Sequence, residues 1–415
     1  MARLESMPGA QEGHKAKPPK APCHEKVRPD SDAQHATANG ATMTLTILNY
    51  ALMMLWGYIR EAFRYFVPDP DLSVRQGYAP LLRGSDDFFS RRMYRRVRDC
   101  WNRPIDTRAG RVIGVMQRKS DTGHKRFELT GKTIPCINLA SYNYLGFSED
   151  LPSVTEDTLL ALERYGTGAC TSSQEGGQSQ LLRDLEVETA AFVGKEAAVV
   201  YAMGFVTNFS GLAPLFCDQT LVVSDSLNHA SLVGGVRVSS GRVKVFKHND
   251  MGSLERTLRR AIVDGQPRTH RPWKRVVILV EGIYSMEGEI LDLPRVVELK
   301  KKYKCLLYVD EAHSIGALGS SGRGVCEHCG VDPSDVDLLM GTYTKSFGSI
   351  GGYIAGPARL IADLKRYSGA SLMGDSLHSA AAQQAISSLR VMLGKDGTTI
   401  GREKIRRLKE NSEYM

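Results

Sequence analysis

A chain of 415 residues with 42% hydrophobic and 24% charged side chains has an ordinary globular composition, long enough for a large core and for two or three domains. The net charge of +8 and pI near 9.0 could suit nucleic acid or an anionic membrane, but the charges are scattered and mixed in sign, which argues against a dedicated nucleic-acid surface. Eight cysteines in so long a chain, with no signal-peptide pattern at the start, argue for reduced thiols and against a disulfide scaffold.

Residues 1–40 are rich in Pro, Lys, Ala, Asp and His with no apolar period, and read as a disordered tail. Met43–Ile59 then runs uncharged, with aromatics at Tyr50, Trp56, Tyr58, Phe63, Tyr65 and Phe66. A full span needs about 20 apolar residues, so this run fits a tilted anchor or an interfacial helix, and 41–68 reads as a membrane-associated helix. A core helix is the plainer alternative. From Asp86 to Pro104 arginines alternate with Phe88, Phe89, Tyr94 and Trp101, and a solvated helical face with inward aromatics is the commoner meaning of such a pattern. Residues 69–133 form an N-terminal extension.

Beyond Ile134 apolar strands and amphipathic helices alternate. The strands are expected at Ala197–Ala202, Thr220–Ser224, Val243–Phe246, Val276–Val280, Cys305–Val309 and Asp337–Met340, which means a mainly parallel sheet with helical crossovers. Ligands in such folds sit at the carboxyl ends of strands. Several of these ends carry reactive or small residues: Gly204–Asn208 as a turn entering a helix, Asn228-His229-Ala230-Ser231, Gly282–Gly288 around Ser285, Asp310-Glu311-Ala312-His313, and Gly341–Gly348 around Lys345. Taken alone each has a bland reading as a turn, a helix cap or a solvated lysine. The Cys326-Glu327-His328-Cys329 pair lacks a second ligand pair for structural zinc and reads as two free thiols.

Asp310-Glu-Ala-His313 also matches a helicase signature, with Gly131-Lys132-Thr133 upstream. A phosphate-wrapping loop needs an earlier glycine, and that position is Arg126 in a strand-like stretch. An acid on one strand and a lysine at the end of the next, with a histidine and phosphate donors nearby, instead suit pyridoxal 5'-phosphate, whose pyridine nitrogen needs a carboxylate and whose aldehyde needs an amine.

From Trp101 to Lys365 the sequence resembles the α-oxoamine synthases of the fold-type I pyridoxal-phosphate enzymes, and within them the long-chain-base subunit 2 or 3 type of serine palmitoyltransferase. The resemblance rests on Ser141-Tyr-Asn-Tyr-Leu-Gly146, Tyr165-Gly-Thr-Gly168, Gly204-Phe205, Asn228–Ser231, Gly282–Gly288, Asp310–Gly316 and Gly341–Gly348, with Gly265–Thr269 and Lys300–Lys304 also similar. It implies an aspartate-aminotransferase-like α/β fold with a mainly parallel seven-stranded sheet over 134–390. It makes Lys345 the Schiff-base lysine, Asp310 the partner of the pyridine nitrogen, His229 the residue stacked on the ring and His313 a hydrogen-bond partner of its phenolic oxygen. Ser285, Thr342, Thr344 and the backbone at Gly204 and Phe205 are then the orienting and phosphate-binding groups.

The implied activity is decarboxylative condensation of L-serine with a long-chain acyl-CoA, commonly palmitoyl-CoA, to 3-ketodihydrosphingosine. Also implied are a heterodimer with a subunit 1 that lacks the lysine, small regulatory subunits, and an endoplasmic reticulum membrane location with the catalytic domain facing the cytosol. Three departures stand out. Thr171-Ser172-Ser173 replaces the usual Ser-Thr-Arg, Ser371–His378 differs from the usual serine-rich segment, and the chain stops at Met415 where a small carboxy-terminal domain is expected. Residues 391–415 therefore read as the start of a truncated small domain, and a non-catalytic binding or regulatory subunit is the alternative function.

Overall fold

The computed structural model describes residues 39–63 and 88–415. The expected tail at 1–38 and the 64–87 part of the extension lie outside the described residues. The chain divides into two compact units, one of residues up to Arg103 together with Arg118–Glu128, the other of Pro104–Gln117 together with Leu129–Met415.

In the first unit, a helix runs over Gly40–Phe63, 24 residues or about 36 Å, which exceeds the roughly 30 Å hydrocarbon core of a bilayer. Eleven of its large apolar and aromatic side chains are exposed, from Met43 to Phe63. The helix outruns the uncharged Met43–Ile59 stretch because its charged last turn is satisfied: Arg92 donates to Glu61 at 2.7 Å. Tyr58 stacks on Phe88 at 4.5 Å, and the buried Gly57 leaves room for that ring. The other aromatics of this stretch do not turn inward as expected: Phe89, Tyr94 and Trp101 are exposed.

A two-stranded sheet pairs β1 (Val112–Lys119) with β2 (Glu128–Ile137). The main sheet then takes β3 (Ala197–Tyr201), β4 (Thr220–Asp225), β5 (Arg242–Phe246), β6 (Arg275–Glu281), β7 (Leu306–Asp310), β8 (Leu338–Thr342) and β9 (Gly352–Gly356) in the order β3-β9-β8-β7-β6-β4-β5. Every pairing is parallel except those of β9, which runs antiparallel between β3 and β8. The sheet is thus mainly parallel and seven-stranded, as expected. β9 escapes a reading by apolar runs because Gly-Tyr-Ile-Ala-Gly is bracketed by glycines.

Alternation along the strands feeds two cores, as burial on both faces of a parallel sheet requires. Leu221, Val223, Ile278, Val280, Leu307, Val309 and Leu339 enter one, while Val222, Val277, Leu279, Tyr308, Leu338 and Met340 enter the other. Each fully buried aliphatic side chain contributes about 1.5–3 kcal/mol. The crossover helices start and stop on local signals: Ser179 caps Gln180–Val193, which ends at left-handed Gly194, and Asp250 caps Met251–Asp264. The last helix, Ile400–Tyr414, puts Ile405 into the first core and donates Lys404 Nζ to the Leu145 carbonyl at 2.8 Å.

Candidate active site

Adjacent parallel strands end level with one another, and the residues just past their ends converge. β6 and β7 pair Glu281 with Asp310, and β7 and β8 pair Asp310 with Met340, two residues before Thr342. Past β8 the chain makes a tight loop to β9. Tyr343, Ser346 and Phe347 are fully buried, Ser346 donates to the Ile315 carbonyl at 2.7 Å, and Gly348 takes φ +61 where a Cβ would strike the Phe147 backbone. With these anchors on both sides, Lys345 is half-buried between the buried Tyr343 and Ser346, and its amine has a fixed origin.

Lys345 Nζ lies 2.6 Å from His313 Nε2, and His313 Nδ1 lies 2.7 Å from the Tyr144 hydroxyl. Burial lowers the Lys345 amine to about 8 against the opposing pull of Asp310 and Glu281. Burial, with the neighbouring Lys345 and His229, lowers His313 to about 4, so its ring is neutral. The Tyr142 ring lies 5.6 Å from Lys345 Nζ and edge-on to His313.

Asp310 is 4% exposed, and burial pushes its carboxyl upward while two donors hold it down: Asn208 Nδ2 at 2.7 Å and the Ala312 N–H at 2.8 Å. Asn208 itself accepts from Tyr308 at 2.8 Å and donates to Ser231 at 3.0 Å. Ser231 links on to His229, whose Nδ1 accepts from the Ser231 N–H at 3.2 Å as the cap of helix Ala230–Val238. The bland cap reading and the functional one hold together here, since capping fixes the imidazole. The His229 N–H donates to Glu281, whose carboxyl burial and the neighbouring Asp310 raise to about 8.

Thr342 and Gly204 meet from opposite directions. A Cβ on Gly204 would stand 2.7 Å from Thr342 Oγ1, which donates to the Gly351 carbonyl at 2.8 Å and accepts from the Thr344 N–H at 3.2 Å. Gly204 opens helix Gly204–Gly211, whose first N–H groups have no intrahelical acceptor. Hydroxyls beside a helix N-terminus, on a backbone bare of side chain, are a cradle for a phosphate. The Phe205 ring is exposed and edge-on to His229 at 6.0 Å. Ser285 is exposed on the 283–290 loop and joins none of these hydrogen bonds.

The arrangement fits pyridoxal phosphate: a deeply buried carboxylate for a pyridinium, an amine of lowered basicity for an aldehyde, and a glycine-floored cradle for the phosphate. Sequence reasoning brought Lys345, Asp310, His229, His313, Gly204 and Thr342 to this region. It did not single out Tyr144, Tyr142, Asn208, Ser231 or Glu281. Tyr142, Tyr144, Asn208 and Ser231 stood inside quoted motifs, but none has a role until the fold brings His313, Lys345 and Asp310 alongside.

The family model "Aminotransferase class I and II" matches residues 134–415. The chain is 48% identical over 367 residues to serine palmitoyltransferase 2 of Dictyostelium discoideum, covering 88% of this chain and 75% of that one. It is 46% identical over 374 residues to long chain base biosynthesis protein 2a of Arabidopsis thaliana, covering 90% and 76%. A solved structure of SPT with a PLP internal aldimine superposes with a TM-score of 0.61 at 28% identity, over 69% of this chain and 67% of that one. The chain therefore belongs to the pyridoxal-phosphate-dependent class I and II aminotransferase-fold proteins and, within them, to the serine palmitoyltransferase family.

Proposed function

We propose that this chain is the catalytic subunit of a serine C-palmitoyltransferase, with Lys345, Asp310 and His229 as its catalytic residues. The reaction joins the α-carbon of L-serine to the carbonyl carbon of a long-chain acyl-CoA, expels the coenzyme A thiol and carbon dioxide, and yields 3-ketodihydrosphingosine. The observation that carries the reading is the Lys345 amine, lowered to about 8 and set 2.6 Å from neutral His313, in the loop that follows β8, the strand paired with the one that ends in the buried Asp310.

Pyridoxal phosphate, when bound, supplies the electron sink that makes the serine α-proton removable. Asp310 would face the pyridine nitrogen, His229 the ring, and His313 the phenolic oxygen. Thr342, Thr344 and the backbone at Gly204 and Phe205 would hold the phosphate, and Ser285 would orient the ring from its loop. Lys345 Nζ, half neutral near pH 8 and more fully so above it, would take the α-proton as general base.

The chain's place is the endoplasmic reticulum membrane, its catalytic domain facing the cytosol, in a heterodimer with a subunit 1 and with small regulatory subunits. Supporting the membrane part is helix Gly40–Phe63, the single described helix long and apolar enough to cross a bilayer. An acyl chain and a lipid product both partition into a bilayer. The test is direct: the purified complex is given L-serine with acyl-CoAs of graded length and the long-chain ketone is measured. Formation that vanishes with Lys345→Ala supports the reading, and formation that survives it refutes the reading.

A further inference from the structure

The role given to His313 leaves open which ring nitrogen carries its proton, and a neutral imidazole can donate from one nitrogen only. Its two neighbours differ in what they offer. At Nδ1 stands the Tyr144 hydroxyl at 2.7 Å, and at Nε2 the Lys345 amine at 2.6 Å. Burial and the nearby Tyr142 raise the Tyr144 phenol to about 12, so it keeps its proton at neutral pH. Its loop is held rigidly. Leu145 and Phe147 are 2% exposed, Lys404 donates to the Leu145 carbonyl, and Asn143 donates to the Ala109 carbonyl at 3.1 Å.

We propose that Tyr144 is a positioning residue that donates its hydroxyl hydrogen to His313 Nδ1, fixes the imidazole as its Nε2–H tautomer, and so presents a donor to Lys345 Nζ. The inference rests on the reading of Lys345 as the reactive amine. A donor at Nε2 finds its acceptor in the lone pair of a neutral amine and repels an ammonium. The Tyr144–His313 pair therefore favours the neutral, nucleophilic form of Lys345 and lowers the pH at which it is reached, and offers the same donor to a cofactor oxygen. Asp310 and Glu281 act on Lys345 in the opposite sense, while His229 and Tyr142 face the pair from the other elements.

Without the Tyr144 hydroxyl, His313 can move its proton to Nδ1 and accept from a Lys345 ammonium at Nε2. The Lys345 midpoint then rises. The experiment titrates the cofactor-free full chain from pH 6 to 10, adding pyridoxal phosphate briefly, reducing with borohydride and quantifying the Lys345 peptide by mass spectrometry. For Tyr144→Phe, which keeps the ring in place, the labelling midpoint is expected to rise by about one pH unit. In a His313→Ala background the same substitution is expected to move it no further, because the route through the imidazole is gone. An unchanged midpoint for Tyr144→Phe, or an equal shift in the His313→Ala background, overturns the inference while leaving Lys345 as the reactive amine. Absence of label at Lys345 in the unaltered chain overturns both.

Discussion

Asn208 donates to Asp310 at 2.7 Å although the two stand 102 residues apart, and the same amide accepts from Tyr308 and donates to Ser231. One side chain thus orients the buried carboxylate and connects it to the histidine that caps the neighbouring helix. Replacing Asn208 by Leu removes a donor from a carboxylate with little access to water, at a cost of about 1–3 kcal/mol. The expected result is a lower unfolding midpoint and faster loss of pyridoxal phosphate on dialysis. A variant with unaltered cofactor retention would show that Asn208 does not tune Asp310.

Gly204→Ala tests the phosphate cradle. Alanine improves helix propensity and relieves no strain here, since Gly204 does not take positive φ, so the fold is expected to persist. The added methyl stands 2.7 Å from Thr342 Oγ1 and blocks the approach. Fluorescence titration should give a pyridoxal phosphate Kd at least tenfold weaker in a protein that still unfolds cooperatively, with a thermal midpoint lowered by the displaced Thr342 side chain. An unchanged Kd would remove Gly204 from the site.

Glu281 gives the protein a pH dependence with a definite sign. Its carboxyl is raised to about 8, above the ordinary 4.5, so the folded chain keeps a proton that the unfolded chain releases. Its contribution is full at acid pH and is lost as pH rises through about 4.5 to 8. Glu281→Gln keeps an acceptor for the His229 N–H and cannot ionise. Denaturation of the cofactor-free protein should be less pH-dependent across that window in the variant, with the gain largest near pH 8. Parallel curves for the two proteins would contradict the assignment.

Membrane attachment is tested at the middle of helix Gly40–Phe63. Leu48 and Leu52 are exposed, and lysines there cost about 2.5–3.5 kcal/mol each in a bilayer centre. The double Leu→Lys variant should shift to the soluble fraction on fractionation. Retention in the membrane fraction would point to other contacts as the anchor.

Much of this site could be seen in the chain before its fold. Lys345 and Asp310 follow apolar runs that end where a parallel sheet presents its ligand edge, and both lie at that edge. What could not be seen depends on register and on long loops closing. Glu281 acquires its raised pKa from burial and from standing level with Asp310 across β6 and β7. Tyr144 gains its role from a histidine 169 residues away. β9 is hidden by its glycines, yet it lies beside β8, and the loop joining them carries Lys345. Phe89, Tyr94 and Trp101 failed the inward-aromatic expectation because composition cannot tell a packed ring from an exposed one.

Lys345 is the amine that pyridoxal phosphate is expected to occupy. The most direct measurement is borohydride reduction of the cofactor-loaded complex followed by peptide mapping. The phosphopyridoxyl group is expected on Lys345, with loss of the visible cofactor band in Lys345→Ala. Labelling confined to another lysine, or a band that persists in Lys345→Ala, would contradict the account.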